Sequence, residues 1–217
     1  MEKIFFQELF QRDFGEKQMQ IDDNFMGQPL GRDQSARESI QRLGTLGDDP
    51  IGLTCSMDVA RRWGYAQTIE PFSSIENASH AVKQGRIDAF LVPGAYPRLN
   101  AFIMDSALTA SDTFVMEIPS LVLCVAANAA VQDVKYIFHH PATTALLPEV
   151  EILWKEAVHA SSNVEACRNL LDSSENSACV TNLLCANHFN MKIIQTLRQG
   201  ISMPWICFKK LAEEKNQ

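Results

Sequence analysis

The chain has 217 residues, 46% of them hydrophobic and 21% charged, with a formal net charge of −7. That length builds one domain with a sizeable core, or two small lobes. The acidic balance argues against a nucleic-acid footprint, which needs a basic face, yet leaves room for an anionic ligand at a locally positive site. No apolar stretch has the length of a membrane span. The N-terminus, MEKIFFQELFQRDFGEK, breaks its Phe and Leu residues with Glu2, Lys3, Glu8, Arg12 and Asp13, which a secretory signal does not do. A cytoplasmic protein is expected, with no nucleic-acid or membrane partner.

Residues 1–42 read as an amphipathic helix followed by a polar linker, DDNFMGQPLGRDQSARES, without periodicity. From there the pattern is α/β. IQRLGTLGD predicts a short strand ending in glycine. TCSMDVARRWG predicts a helix capped by Thr54 or Ser56, with Ala60 and Trp63 facing inward and Gly64 at its end. TIEPF is a short strand. SSIENASHAVKQG is a helix with a capping box of Ser73 and Glu76 and a stop at Gly85. IDAFLVP is near-continuously apolar, as a strand buried on both faces is.

The second half repeats this grammar. SLVLCVAA (120–127) and VKYIFHHP (134–141) are strands, and PATTALLPEVEILWKEAV reads as helical with a point of interruption at Pro148. SSNVEACRNLLDSSENSACVTN parallels SSIENASHAVKQGRIDAFLVP, with Ser162 and Glu165 as its capping box. This weak internal repeat predicts two similar α/β lobes with a cleft between them. Helix N-termini pointing into such a cleft make natural anion sites. KIIQTL (192–197) and WICFKK (205–210) are the last strands, returning to the first lobe or pairing at the hinge.

Six cysteines, Cys55, Cys124, Cys167, Cys179, Cys185 and Cys207, have no C-x-x-C spacing and no His cluster to complete a zinc site. They read as small, reduced hydrophobes. Cys55 alone has a place for a nucleophile, at a helix N-terminus where thiolates are favoured.

Several segments in order resemble one family. TLG with TCSMDVARRW is similar to the Gly-rich, Thr/Ser-containing opening of the prephenate dehydratase-like fold. LVPGAYPRLNAFIMD resembles the VP-x-A-Y segment of one branch, FHHPA its His-Pro turn, and SSNVEACRNLL its Ser-Thr-Ser helix start. CVTNLLCANHFNMKIIQTL resembles its T-N strand and tail, and ISMPWICF a Met-x-Trp strand. The resemblance covers roughly residues 43–210 and points to the bacilysin/aeruginosin-type prephenate decarboxylases. It implies a two-lobed, periplasmic-binding-protein type II-like α/β fold with a central cleft. Lobe 1 would hold about 43–118 plus 198–210, lobe 2 about 119–197, and residues 211–217 form a polar tail.

The chemistry implied by the resemblance is non-aromatising decarboxylation of prephenate. CO2 leaves, a ring alkene carbon is protonated, and the ring hydroxyl stays, giving a dihydro-4-hydroxyphenylpyruvate for specialised amino acids or peptides. No metal or organic cofactor is implied, and a homodimer is admitted by the resemblance alone. Thr54, Cys55 and Ser56 match the Thr-Ser-Ser opening as substrate binders, although Asp48, Asp49 and Pro50 lengthen the preceding loop. Ser162 and Asn163 match the second helix start, with Val164 in place of its last serine. Thr181 and Asn182 match the T-N pair, and Thr181 reads equally as an ordinary strand threonine.

Tyr96 is expected to hydrogen-bond a carboxylate or the ring hydroxyl, Arg98 to serve as a counter-ion, and His140 to act as proton donor or simply as a turn histidine. Met203-Pro204-Trp205 stands where dehydratases carry Thr-Arg-Phe. A thioether cannot donate the proton that helps hydroxide leave. Met203 and Trp205 are therefore expected at the reaction centre, Trp205 walling the ring, or else as plain core residues. An authentic dehydratase and a non-catalytic carboxylate-binding module are the competing functions.

Overall fold

The computed structural model describes residues 40–47 and 52–212. The expected N-terminal helix and linker, the Asp48–Pro50 insertion and most of the polar tail lie outside the described residues. The first strand, β1 (Ile40–Leu46), begins inside the segment expected to be linker. Helix α1 (Cys55–Trp63) starts at Thr54, whose hydroxyl accepts the Met57 N–H, and ends at Gly64, left-handed at φ 74°. Such a cap contributes about 1 kcal/mol, and only glycine adopts that φ without strain.

Strand β2 (Ala66–Phe72) leads to helix α2 (Ile75–Lys83) and the wholly apolar strand β3 (Ala89–Pro93). The cap of α2 is Ser74, accepting from Asn77 N, not the expected Ser73; Ser73 Oγ instead takes the Asn77 side-chain amide at 3.0 Å. A short helix α3 (Leu99–Ile103) and a ten-residue strand β4 (Leu108–Glu117) follow.

The second lobe opens with β5 (Leu121–Val125) and β6 (Val134–His139). The expected long helix after them is a 3-10 helix, Pro141–Glu149, and then a strand, β7 (Trp154–His159). Pro148 brings no N–H to continue the ladder, and Trp154–His159 instead lines up parallel to β6 in register His139 with His159. Helix α4 (Asn163–Asp172), strand β8 (Ser177–Asn182), the six-residue helix α5 (Leu183–His188), β9 (Lys192–Arg198) and β10 (Ser202–Lys210) complete the chain.

Two five-stranded sheets result, ordered β2-β1-β3-β10-β4 and β7-β6-β8-β5-β9. Each has three parallel strands linked through helical crossovers, then one strand that enters from the other lobe and runs antiparallel to its neighbours, β10 in the first sheet and β5 in the second, and last an edge strand of its own lobe, β4 or β9. The paired Ser-Ser segments of the sequence occupy matching places, as β2-α2-β3 and β7-α4-β8. β9 belongs to the second lobe and β10 to the first. The chain passes between the lobes at 118–120 and 199–201, where Ile118 N donates to Ile201 O at 2.9 Å.

Each sheet carries an apolar layer on both faces. In lobe 1, α1 covers Leu43, Leu91, Trp205 and Cys207, and α2 covers Phe90, Val92 and Phe208. In lobe 2, α4 and α5 cover Val122, Cys124 and Cys179, and the 3-10 helix covers Leu123, Ile137 and Val180.

Candidate functional site between the lobes

The strand orders locate the site. From β1 the chain turns to β2 on one side, and from β2 it crosses back to β3 on the other. The loops leaving the carboxyl ends of β1 and β3 therefore part in opposite directions, which opens a crevice. In lobe 2 the same reversal falls between β6 and β8. The loops at these reversals carry Thr54 and Cys55 after β1, Tyr96 after β3, His140 after β6, and Asn182 at the end of β8. β10 begins beside the end of β3, pairing Trp205 with Pro93, so Met203 enters at the same edge.

The two lobes meet at Cys55. It is the first residue of α1, and it is half-buried while the other five cysteines are buried. The Asn182 side-chain amide donates to Leu53 O at 2.8 Å and lies 3.7 Å from Cys55 Sγ. The Asn163 amide nitrogen stands 3.9 Å from the same sulfur. Asn163 Oδ1 is enclosed and has no hydrogen-bond partner among the described residues. Burial pushes the Cys55 thiol up to about 11, against the pull of Asn182. A thiolate nucleophile at neutral pH, the reading its helix position allowed, is therefore not what this environment stabilises.

The remaining hydroxyls named from sequence hold the site rather than face it. Thr54 Oγ1 donates to Leu46 O at 2.7 Å and accepts from Met57 N. Ser56 is buried, 4% exposed. Thr181 is wholly buried; it donates to Asn163 O at 3.1 Å and accepts from the Cys167 thiol. Ser162 caps α4 by accepting Glu165 N at 3.0 Å, while Glu165 returns to Ser161 N, one residue earlier than a standard capping box. Asn182 Oδ1 caps α5 through Cys185 N at 2.9 Å.

The aromatic candidates part company with expectation. Trp205 is fully enclosed among Leu43, Val59, Ala60 and Leu91, so it is core and does not wall a ligand. Met203 is half-buried on that same cluster, which also receives Cys55. Tyr96 gives its hydroxyl to both Glu76 carboxylate oxygens, at 2.9 and 2.8 Å, and burial with Glu76 pushes its pKa up to about 12. Arg98 pairs with Glu76 at 3.2 Å. Both side chains are thus engaged within lobe 1.

His140 caps the 3-10 helix. Its Nδ1 accepts Ala142 N at 3.2 Å, which places the ring proton on Nε2. Met203-Pro204 has a local logic too. Pro204 needs no N–H towards β3, because β3 has ended at Pro93, and Gly94 N donates to Pro204 O at 2.7 Å. A Cβ on Gly94 would stand 2.4 Å from Pro204 Cγ.

Leu53 and Cys185 were not found by sequence reasoning. Leu53 O accepts from Asn182 and, at 3.6 Å, from the Cys185 thiol, and the Leu53 side chain packs on the core of the other lobe. One signal existed. An apolar residue just before a helix cap usually packs on the fourth helical residue, which here is Asp58 and offers no apolar partner.

Chemically, the junction presents two helix N-termini and two amides. Each helix leaves first-turn N–H groups beyond those its cap satisfies. Together with the dipoles they favour a carboxylate without a formal cation. No group of three or more His, Cys, Asp or Glu side chains able to hold a metal occurs among the described residues, and none of their helices is long and apolar enough to cross a membrane.

No family model and no curated protein matches the chain. Solved structures do. Prephenate dehydratase from Arthrobacter aurescens in complex with L-Phe superposes with a TM-score of 0.62 at 18% identity, over 79% of this chain and 61% of that one. GqqA, described as a novel type of quorum quenching acylase, gives 0.55 at 14% over 79% and 65%. Prephenate dehydratase from Staphylococcus aureus gives 0.52 at 14% over 78% and 67%. The chain thus spans about three fifths of the first of these structures. They define its class: a two-lobed α/β protein of the prephenate dehydratase-like fold.

Proposed function

We propose that the protein binds prephenate between its lobes and decarboxylates it without aromatising the ring. The observation that supports this most is the convergence of α1, α4 and the Asn163 and Asn182 amides on one point. It sets the first-turn N–H groups of two helices around one place, as donors for a carboxylate. The likeness to prephenate dehydratases supports a prephenate-related ligand, although this fold also hosts other activities and does not by itself assign one.

In the reaction the bond between the ring and its carboxylate breaks and CO2 departs. The electron pair moves into the ring diene, and one proton is taken up at a ring carbon. The hydroxyl remains. At the edge of β10, Met203 stands where the resembled dehydratases carry threonine, and its thioether has no proton for a leaving hydroxide. His140, with its ring proton on Nε2 and placed just after β6, is assigned the proton delivered to carbon. Cys55 and Asn163 face the ligand; Thr54, Ser56, Ser162 and Thr181 support the two helix starts that receive it, and Asn182 ties them together through Leu53 O. A cytoplasmic setting and a homodimer belong to the same reading.

A second reading rests on the same junction. The side chains meeting there are a thiol and two amides, none a ready proton carrier at neutral pH. That favours a non-catalytic carboxylate-binding module. Calorimetry with prephenate, followed by product analysis of the same sample, separates the two. Heat of binding with prephenate recovered intact supports the module; loss of CO2 supports the enzyme.

A further inference from the structure

The geometry points to Leu53 as a latch that joins the two lobes and holds the interlobe site in its working geometry before any ligand arrives. Leu53 belongs to the first lobe, on the loop leading into α1, yet its side chain packs against the second lobe's core cluster, which includes Val164, Cys167 and Cys185. Its carbonyl takes two donors from that lobe, the Asn182 amide at 2.8 Å and the Cys185 thiol at 3.6 Å. Asn182 and Cys185 are both wholly buried, so these are enclosed contacts and not surface ones. Apolar insertion and a buried hydrogen bond thus act at one residue.

The loop that presents Leu53 is braced within its own lobe. Gly52 is left-handed at φ 59°, and Arg61 Nη1 donates to its carbonyl at 2.7 Å. A Cβ at Gly52 would meet Arg61 Nη2 at 2.3 Å. On the other side Thr54 is tied to Leu46 O. Leu53 is therefore fixed from both neighbours and projects as a rigid peg. Two-lobed proteins that close on a ligand open by a hinge; here the connections at 118–120 and 199–201 are hinge-like, and Leu53 is the tie against opening. Arg61 is a positioning residue that acts through the Gly52 carbonyl.

Cys55, two residues from the latch, reports on it. The test is the rate of iodoacetamide labelling of the full chain, read at each cysteine by peptide mass mapping, for the natural protein, L53A, L53M and R61A. The latch predicts that L53A and R61A label Cys55 at least roughly tenfold faster, as local opening would allow. Cys124, Cys167, Cys179 and Cys207 should stay protected, Cys185, whose thiol meets Leu53 O, should follow Cys55, and L53M should stay close to the natural rate. R61A leaves both cores untouched and gives the reading even if L53A does not fold. Unchanged Cys55 labelling in R61A and in folded L53A overturns the proposal. So does simultaneous labelling of all six cysteines, which would make Leu53 a support of the fold and not of lobe closure.

Discussion

The Asn182 side-chain amide donates to Leu53 O across the two lobes at 2.8 Å, while its own oxygen caps α5. One wholly buried residue therefore fixes a helix start and an interlobe contact together. Asn182→Ala leaves the Leu53 carbonyl and the Cys185 N–H without that partner. Buried groups stranded in this way cost about 1–3 kcal/mol each. The urea midpoint should fall by that loss divided by the urea slope, and prephenate affinity should fall with it. Unchanged stability would mean that the contact is not made in solution.

His140 is separable from its cap. In His140→Asn the side-chain oxygen can still accept Ala142 N, but the acid is gone. As proton donor, His140 predicts a loss of about 10²–10⁴ in kcat with little change in melting temperature. Full activity in the variant would leave His140 as a helix cap only.

Met203→Thr restores a hydroxyl at the start of β10. The account expects part of the product to become aromatic phenylpyruvate, detectable by its ultraviolet absorbance. A product that stays entirely non-aromatic would show that the missing donor is not what separates the two reactions.

Acid should weaken the fold through His139. This ring is wholly buried on β6, and burial, with His159 opposite at a ring distance of 4.9 Å, holds its pKa below the ordinary histidine value; the contact with His140 O works the other way. A depressed folded pKa means that the unfolded chain binds the proton more readily. Stability from this group is full above the ordinary value of 6.5 and is lost as pH falls from there through the lower folded value. Urea midpoints at pH 7.5 and 5.5 should differ more for the natural protein than for His139→Asn. Equal differences would remove His139 from the account.

Much of the fold was legible because its signals are local. Caps at Thr54 and Ser162, the left-handed glycines at 64 and 85, and the unbroken apolar run of β3 each announce an element in a few residues. The repeat of Ser-Ser, helix and strand foretold two similar sheets. β7 was read as helix because Trp154–His159 lies at a sheet edge, half exposed, without clean alternation. β4 passed unread as a strand because it carries Asp112 mid-strand and little apolar periodicity.

The site was legible in its helix starts and illegible in its long-range contacts. That Cys55 would meet Asn163 and Asn182 required both lobes to be placed. Of the two places open to Trp205, ring wall or core, the sequence alone could not choose, for a related reason. The residue faces α1, a direction set by the pairing of β10 with β3 and β4 and not by the Met-Pro-Trp sequence itself.

The Gly94–Pro204 approach is a backbone requirement rather than a chemical one. Gly94→Ala would press a methyl group on Pro204, 2.4 Å from its Cγ and 3.0 Å from its carbonyl oxygen. Overpacking of this kind costs about 1–3 kcal/mol. A lowered melting temperature is expected, with β10 the first region to lose hydrogen-exchange protection. An unchanged exchange pattern would contradict the packing at the start of β10.

Non-aromatising decarboxylation is visible in a single spectrum. Prephenate labelled with 13C at the ring carboxylate is mixed with the purified protein and followed by NMR. The account predicts labelled CO2 and bicarbonate, new ring alkene signals beside a saturated CH2, and a retained carbinol proton. Labelled CO2 accompanied only by aromatic phenylpyruvate, or prephenate unchanged beyond its spontaneous decay, would contradict it.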